Sequence, residues 1–146
     1  LSTYFCPEDE CAVRVVQELK LAKESILFMT FSFTHVDIAN MLLRKHADGV
    51  AVRGVMDESQ LSQYSAYDLL SYQTGSVLLD GNKYKLHHKV FIIDGQTVIT
   101  GSFNPTKGGD VRNDENLIII KDERIAALYL QEFEKVWGEA AYQFRN

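Results

Sequence analysis

The stretch KLHHKVFIIDGQTVITGSFN, running from Lys85 to Asn104, decides how this chain folds. It holds two apolar runs, Lys85 to Ile93 and Thr97 to Gly101, split by Asp94 and Gly95, a pair suited to a tight turn, and so predicts a β-hairpin. A hairpin brings antiparallel neighbours into whatever sheet the rest of the chain builds. Strand alternation sets His87 beside Lys89 on one face and turns His88 and Val90 to the other. Ser102 and Asn104 repeat the two-residue spacing in the next run, adding a hydroxyl and an amide to the imidazole and the ammonium. Such a set suits a tetrahedral oxyanion.

Working outward from the hairpin, Thr3 to Cys6 reads as a strand and Glu8 to Lys23 as a helix with Ala12, Val15, Val16 and Leu19 on one face. Ser25 to Phe33 is a buried strand, Val36 to Ala47 a second helix closed by Gly49, and Val50 to Met56 a further strand. This βαβαβ alternation predicts parallel strands. Ser59 to Tyr72 is expected to form a third helix, Ser76 to Leu79 and Asn116 to Ile120 two more strands, and Asp122 to Trp137 the last helix. Apolar faces on both sides of the sheet need helices to cover them. The expected fold is therefore a three-layer α/β/α sandwich around a central mixed, largely parallel sheet, with residues 1–146 as one domain.

Composition narrows the classes. The 146 residues are 46% hydrophobic and contain only two prolines, with no repeat or low-complexity segment, which argues against disordered and solenoid readings. No apolar run is long enough to span a bilayer, and the first residues show no basic leader followed by an apolar core. The net charge of −5 runs against a partner that is a polyanion. Charge location matters more than the sum, and Lys83, Lys85, Lys89, Lys107 and Arg112 all lie near the candidate site in sequence.

The spacing His-x-Lys-x4-Asp (His87, Lys89, Asp94) followed by Gly-Ser-x-Asn (Gly101, Ser102, Asn104) resembles the signature of the phospholipase D superfamily. One copy is present, and the chain's length and flanking pattern look like those of the small single-motif endonucleases of that superfamily. The resemblance implies the same α/β sandwich and a phosphodiesterase that needs no metal or other cofactor. It implies His87 as the nucleophile that forms a phosphohistidine, with Lys89 and Asn104 holding the non-bridging oxygens and Ser102 assisting. It also matches Glu115 to an acidic residue that fixes the imidazole tautomer. A leaving alkoxide needs a proton that the nucleophile cannot supply, so a second His87 is expected from a homodimer partner. DNA or RNA is the favoured substrate, phospholipid the alternative, and a catalytically silent nucleic-acid-binding domain a third reading.

Other residues carry weaker signals. Asp94 lies an odd number of positions from His87 and is expected to play a structural part, as is Gly101. His88, His35 and His46 are read as packing histidines. Zinc on His87, His88, Asp94 and the cysteines is a rival with poor ligand spacing, since adjacent strand histidines diverge. Cys6 and Cys11 are expected as buried free thiols, with a disulfide as the alternative. Tyr64, Tyr67 and Tyr72 could stack on bases or seal a helix against the sheet. Gly108 and Gly109 mark a pliable loop, and Pro105 stands where relatives often carry a large apolar residue.

Overall fold

A computed structural model describes residues 1–145. The elements are β1 (Ser2–Cys6), α1 (Cys11–Lys20), β2 (Ser25–Thr30), α2 (Val36–Ala47), β3 (Ala51–Asp57), α3 (Tyr67–Thr74), β4 (Val77–Asp80), β5 (Lys89–Ile93), β6 (Thr97–Gly101), α4 (Lys107–Val111), β7 (Glu115–Lys121) and α5 (Glu123–Arg145). The strands form one seven-stranded sheet in the order β1-β7-β6-β5-β2-β3-β4. Side-chain alternation gives that sheet two apolar faces. Ile26, Phe28, Phe91, Ile93, Ile99 and Leu117 pack with α1, α2 and α3, while Leu27, Met29, Val90, Ile92 and Val98 pack with Ala126, Phe133, Val136 and Ala140 of α5. The three-layer α/β/α sandwich expected from the sequence is the observed architecture.

The hairpin stands where its turn signal put it, with Phe91 opposite Ile99 and Ile93 opposite Thr97. The sheet is mixed, but its parallel share is smaller than expected. Only β2–β3 and β3–β4 run parallel, whereas β1–β7, β2–β5, β5–β6 and β6–β7 are antiparallel. Strand β1 crosses to the far edge and pairs with β7 instead of lying beside β2, and the β5–β6 hairpin, docked antiparallel on β2 and followed by β7, supplies the other antiparallel pairs.

Several local expectations are corrected. The segment expected as one helix from Ser59 to Tyr72 is a 3₁₀ turn at Glu58–Gln60 followed by α3. Asp57 caps the 3₁₀ turn by accepting from Ser59 N, while Ser62 Oγ accepts from Tyr64 N at 3.2 Å and Ser65 Oγ from Tyr67 N at 3.2 Å, two local bonds that compete with helical ones. Lys85 to Lys89 is not all strand, because Leu86 N donates to the buried Asp57 carboxylate at 2.8 Å and the ladder begins at Lys89. Helix α1 starts only at Cys11, after a turn in which Asp9 N donates to Phe5 O and Glu10 N to Pro7 O. That turn joins Cys6 and Cys11 in a disulfide with a Cα separation of 5.7 Å, so the free thiols expected from sequence are absent among the described residues.

Candidate active site

The site lies where β2 and β6 end and β5 and β7 begin. Antiparallel pairing of β5 with β2 sets Lys89 opposite Thr30, and β6–β7 pairing sets Gly101 opposite Leu117. Four strands thus bring residues separated by more than 80 positions, Thr30 to Glu115, to one rim. His87, Lys89, Gly101, Ser102 and Asn104 line one cavity of about 570 Å³, together with His88 and Tyr129.

Lys89 Nζ lies 2.9 Å from His87 Nδ1 and donates to the His87 carbonyl at 2.7 Å. Burial lowers the basicity of Lys89, and the charge of Glu115 opposes that fall. The His87 ring is exposed to solvent and rests on Phe31, with ring centroids 4.6 Å apart and planes at 52°. Asn104 is half-buried, and its Oδ1 has no hydrogen-bond partner among the described residues. A buried amide oxygen left unpaired is costly, so its retention at a cavity wall marks a position arranged for a ligand or for motion.

Ser102 and Glu115 form a second group on the same rim. Ser102 Oγ donates to Glu115 Oε2 and accepts from Asn116 N at 3.0 Å, while Asn113 Nδ2 donates to Glu115 Oε1 at 3.3 Å. Both carboxylate oxygens of Glu115 are therefore engaged by Ser102 and Asn113. The structure brings Glu115 close enough to act on the Lys89 charge, and the imidazole contacts that it displays are with Lys89 and Phe31. Gly101 has φ +141°, and a Cβ there would run into the carbonyl oxygen of Asn116. Only glycine lets β6 turn into Ser102 against β7.

Asp94 sits at the other end of β5. Its carboxylate accepts from the backbone N–H groups of Lys23 at 3.0 Å, Glu24 at 2.7 Å and Ser25 at 3.0 Å, anchoring the start of β2 to the hairpin turn. Burial alone would raise its pKa, but the three donors outweigh that and hold the carboxyl below its ordinary range.

The remaining candidates are dispersed. His88 reaches the same cavity from the side of α5, with its Nε2 3.2 Å from Glu132 of that helix. His35 Nε2 lies 3.2 Å from Asp110 Oδ2, and Asp110 Oδ1 accepts from Ala12 N, tying α2 and α4 to α1. The Gly108–Gly109 loop is a short helix, α4, whose Gly109 N donates to Thr106 Oγ1. Pro105 is buried, and its carbonyl accepts from Thr34 N and His35 N. Lys85 and Tyr84 line a cavity next to His87, with Lys83 Nζ 4.9 Å from the Tyr84 ring, whereas Lys107 lines a separate cavity with His35 and Tyr64. Tyr67 packs on the core, while Tyr64 and Tyr72 are exposed, so the three tyrosines do not form one stripe. Sequence reading missed Phe31 and Asp57; each is a single residue whose partner, His87 or Leu86, lies on a distant segment.

Comparison with known proteins agrees with this geometry. Residues 15–137 match the family model described as cardiolipin synthase, PLD-like domain. A protein from Rickettsia conorii named phospholipase D is 38% identical over 135 residues, covering 91% of this chain and 67% of that protein. A protein from Chlamydomonas reinhardtii named mitochondrial cardiolipin hydrolase is 33% identical over 125 residues, covering 85% of this chain and 56% of its own length. The chain thus spans between half and about two thirds of these relatives. Among solved structures, the phospholipase D family member Nuc from Salmonella typhimurium superposes with a TM-score of 0.88 at 31% identity, covering 94% of this chain and 93% of that one.

Proposed function

The chain belongs to the phospholipase D superfamily, and from that premise we propose that it hydrolyses phosphodiesters through a covalent phosphohistidine on His87, with nucleic acid as the favoured substrate. The observation that carries the reading is the convergence of His87, Lys89 and Asn104 on one cavity. Unliganded, Lys89 leans on the imidazole, and an arriving phosphate draws the ammonium onto a non-bridging oxygen and frees a ring nitrogen to attack phosphorus. Lys89 and the Asn104 amide then meet the charge that builds on the pentacoordinate phosphorus. Glu115, held by Ser102 and Asn113, keeps Lys89 protonated against its burial. None of these steps calls on a metal.

The departing alkoxide takes a proton from a second histidine, and the water that later cleaves the P–N bond gives one back to it. These 146 residues carry one signature, and in this proposal the second histidine is His87 of another copy, with a homodimer as the active unit. Residues 1–146 are read as one such catalytic unit.

Nucleic acid is favoured by the ring of Tyr84, 72% exposed with Lys83 over it, which offers a stacking face in the cavity next to His87; the charges lining that cavity are mixed, Lys85 and Lys135 beside Asp80, Glu132 and Glu139. The names of the rickettsial and algal relatives favour a phospholipid reading, and among the described residues no helix is long and apolar enough to cross a membrane. The test incubates the protein with labelled single- and double-stranded DNA, RNA and cardiolipin-containing vesicles in EDTA, at concentrations spanning dimer dissociation. Cleavage of nucleic acid that is lost on dilution supports the proposal. Lipid turnover alone transfers it to the second reading, and activity abolished by EDTA or fully kept by a monomer overturns the mechanism.

A further inference from the structure

We propose that Phe31 is the platform that aims the His87 imidazole, a positioning residue for the chemistry assigned to that histidine; the inference rests on the reading of His87 as nucleophile. Three phenylalanines crowd the end of β2. Phe28 and Phe33 are fully buried and pack edge-on at 5.7 Å in the core beneath α1 and α2. Phe31 is only half-buried and turns to the rim, directly after Thr30, the residue paired with Lys89.

His87 needs such a support. It precedes the first ladder residue of β5, is solvent-exposed, and hangs on a backbone held one residue earlier by the bond from Leu86 N to Asp57. A surface imidazole with free χ angles samples several rotamers, and each one lost from the reacting orientation slows the attack. The Phe31 ring meets it at 4.6 Å, within the range of favourable aromatic pairs. The same ring lies 5.6 Å from Lys89 Nζ, so one apolar face steadies the nucleophile and shields its neighbouring cation from water. The lowered basicity of Lys89 agrees with that shielding.

The test uses the intact protein and bis(p-nitrophenyl) phosphate, a phosphodiester with neither base nor acyl chain. Phe31→Ala is expected to lower kcat about ten- to a hundredfold, the scale of a misplaced reacting group, with little change in KM. Phe31→Tyr recovers most of the loss. In NMR spectra the His87 ring protons, shifted upfield by the aromatic face, move downfield in Phe31→Ala. A folded Phe31→Ala protein with parental kcat, or with unmoved His87 resonances, overturns the proposal. Should the alanine variant fail to fold, Phe31→Leu keeps the bulk without the aromatic face, and parental kcat in that variant overturns it equally. A parent protein that turns over no phosphodiester counts against His87 as nucleophile and thereby against its platform, while the ring-current shift still reads whether the contact itself exists.

Discussion

The two ends of β5 carry the same signature and treat their polar groups in opposite ways. At the turn, the Asp94 carboxylate is consumed by three backbone donors, Lys23, Glu24 and Ser25, at the start of β2. At the rim, His87 stands in solvent, Lys89 rests against it and the Asn104 Oδ1 has no partner among the described residues. Satisfied groups hold a fold together, and unsatisfied ones are held ready for something that arrives. Five residues of strand separate an anchor from a reactive edge, which lets the hairpin be rigid and its chemistry open at once.

Substitutions at the two ends should therefore separate stability from turnover. The largest effect is expected from His87→Ala, which should cut phosphodiester turnover by at least about 10³-fold while the melting temperature hardly moves, because the side chain is exposed. Turnover that survives would break the contrast at its reactive end. Asp94→Asn should do the reverse, costing about 1–3 kcal/mol of stability at pH 7 with kcat per folded molecule kept. The folded carboxyl titrates below its unfolded value, so its contribution is fully present above about pH 4 and is lost as pH falls through the folded value. The urea midpoints of parent and variant should accordingly converge in acid; a gap independent of pH would remove the charge from the explanation.

A smaller effect sharpens the rim itself. Glu115→Gln removes the charge that opposes the desolvation of Lys89, so the lysine should lose its proton at lower pH than in the parent. The alkaline limb of the kcat/KM profile should shift to lower pH, with only a few-fold loss near neutrality. An unmoved limb would detach Glu115 from Lys89 and return it to the imidazole.

Much of this was legible in the residues. Helix α2 and strand β6 fall on their expected bounds, and the Asp94–Gly95 turn located the hairpin, because those signals are local. Strand order was not legible, since nothing near Ser2–Cys6 says that its partner is β7. The Ser59–Tyr72 segment misled because its spacing is helical while its serines bind their own backbone. The last helix runs past Trp137 because Gly138 breaks propensity without breaking the buried face, which continues to Ala140. At the site, His87, Lys89, Ser102 and Asn104 could be grouped from spacing alone. Phe31 could not, because an aromatic at the end of an apolar run looks like core until the β2–β5 register is known.

The pairing of β1 with β7 also bears on how the molecule comes into being. Its ladder joins Ser2 to Ile119, so the longest chain closure in the sheet is also one of its edges. Contacts that distant form late and slow folding, since loop entropy is lost before they reward it. Within this domain β1 precedes every other strand described and stays unpaired until β7, which bears Glu115, is in place, so both strands keep an open edge until their ladder closes. Among the strands described, β1 precedes all the others in sequence and is the last to find its neighbour.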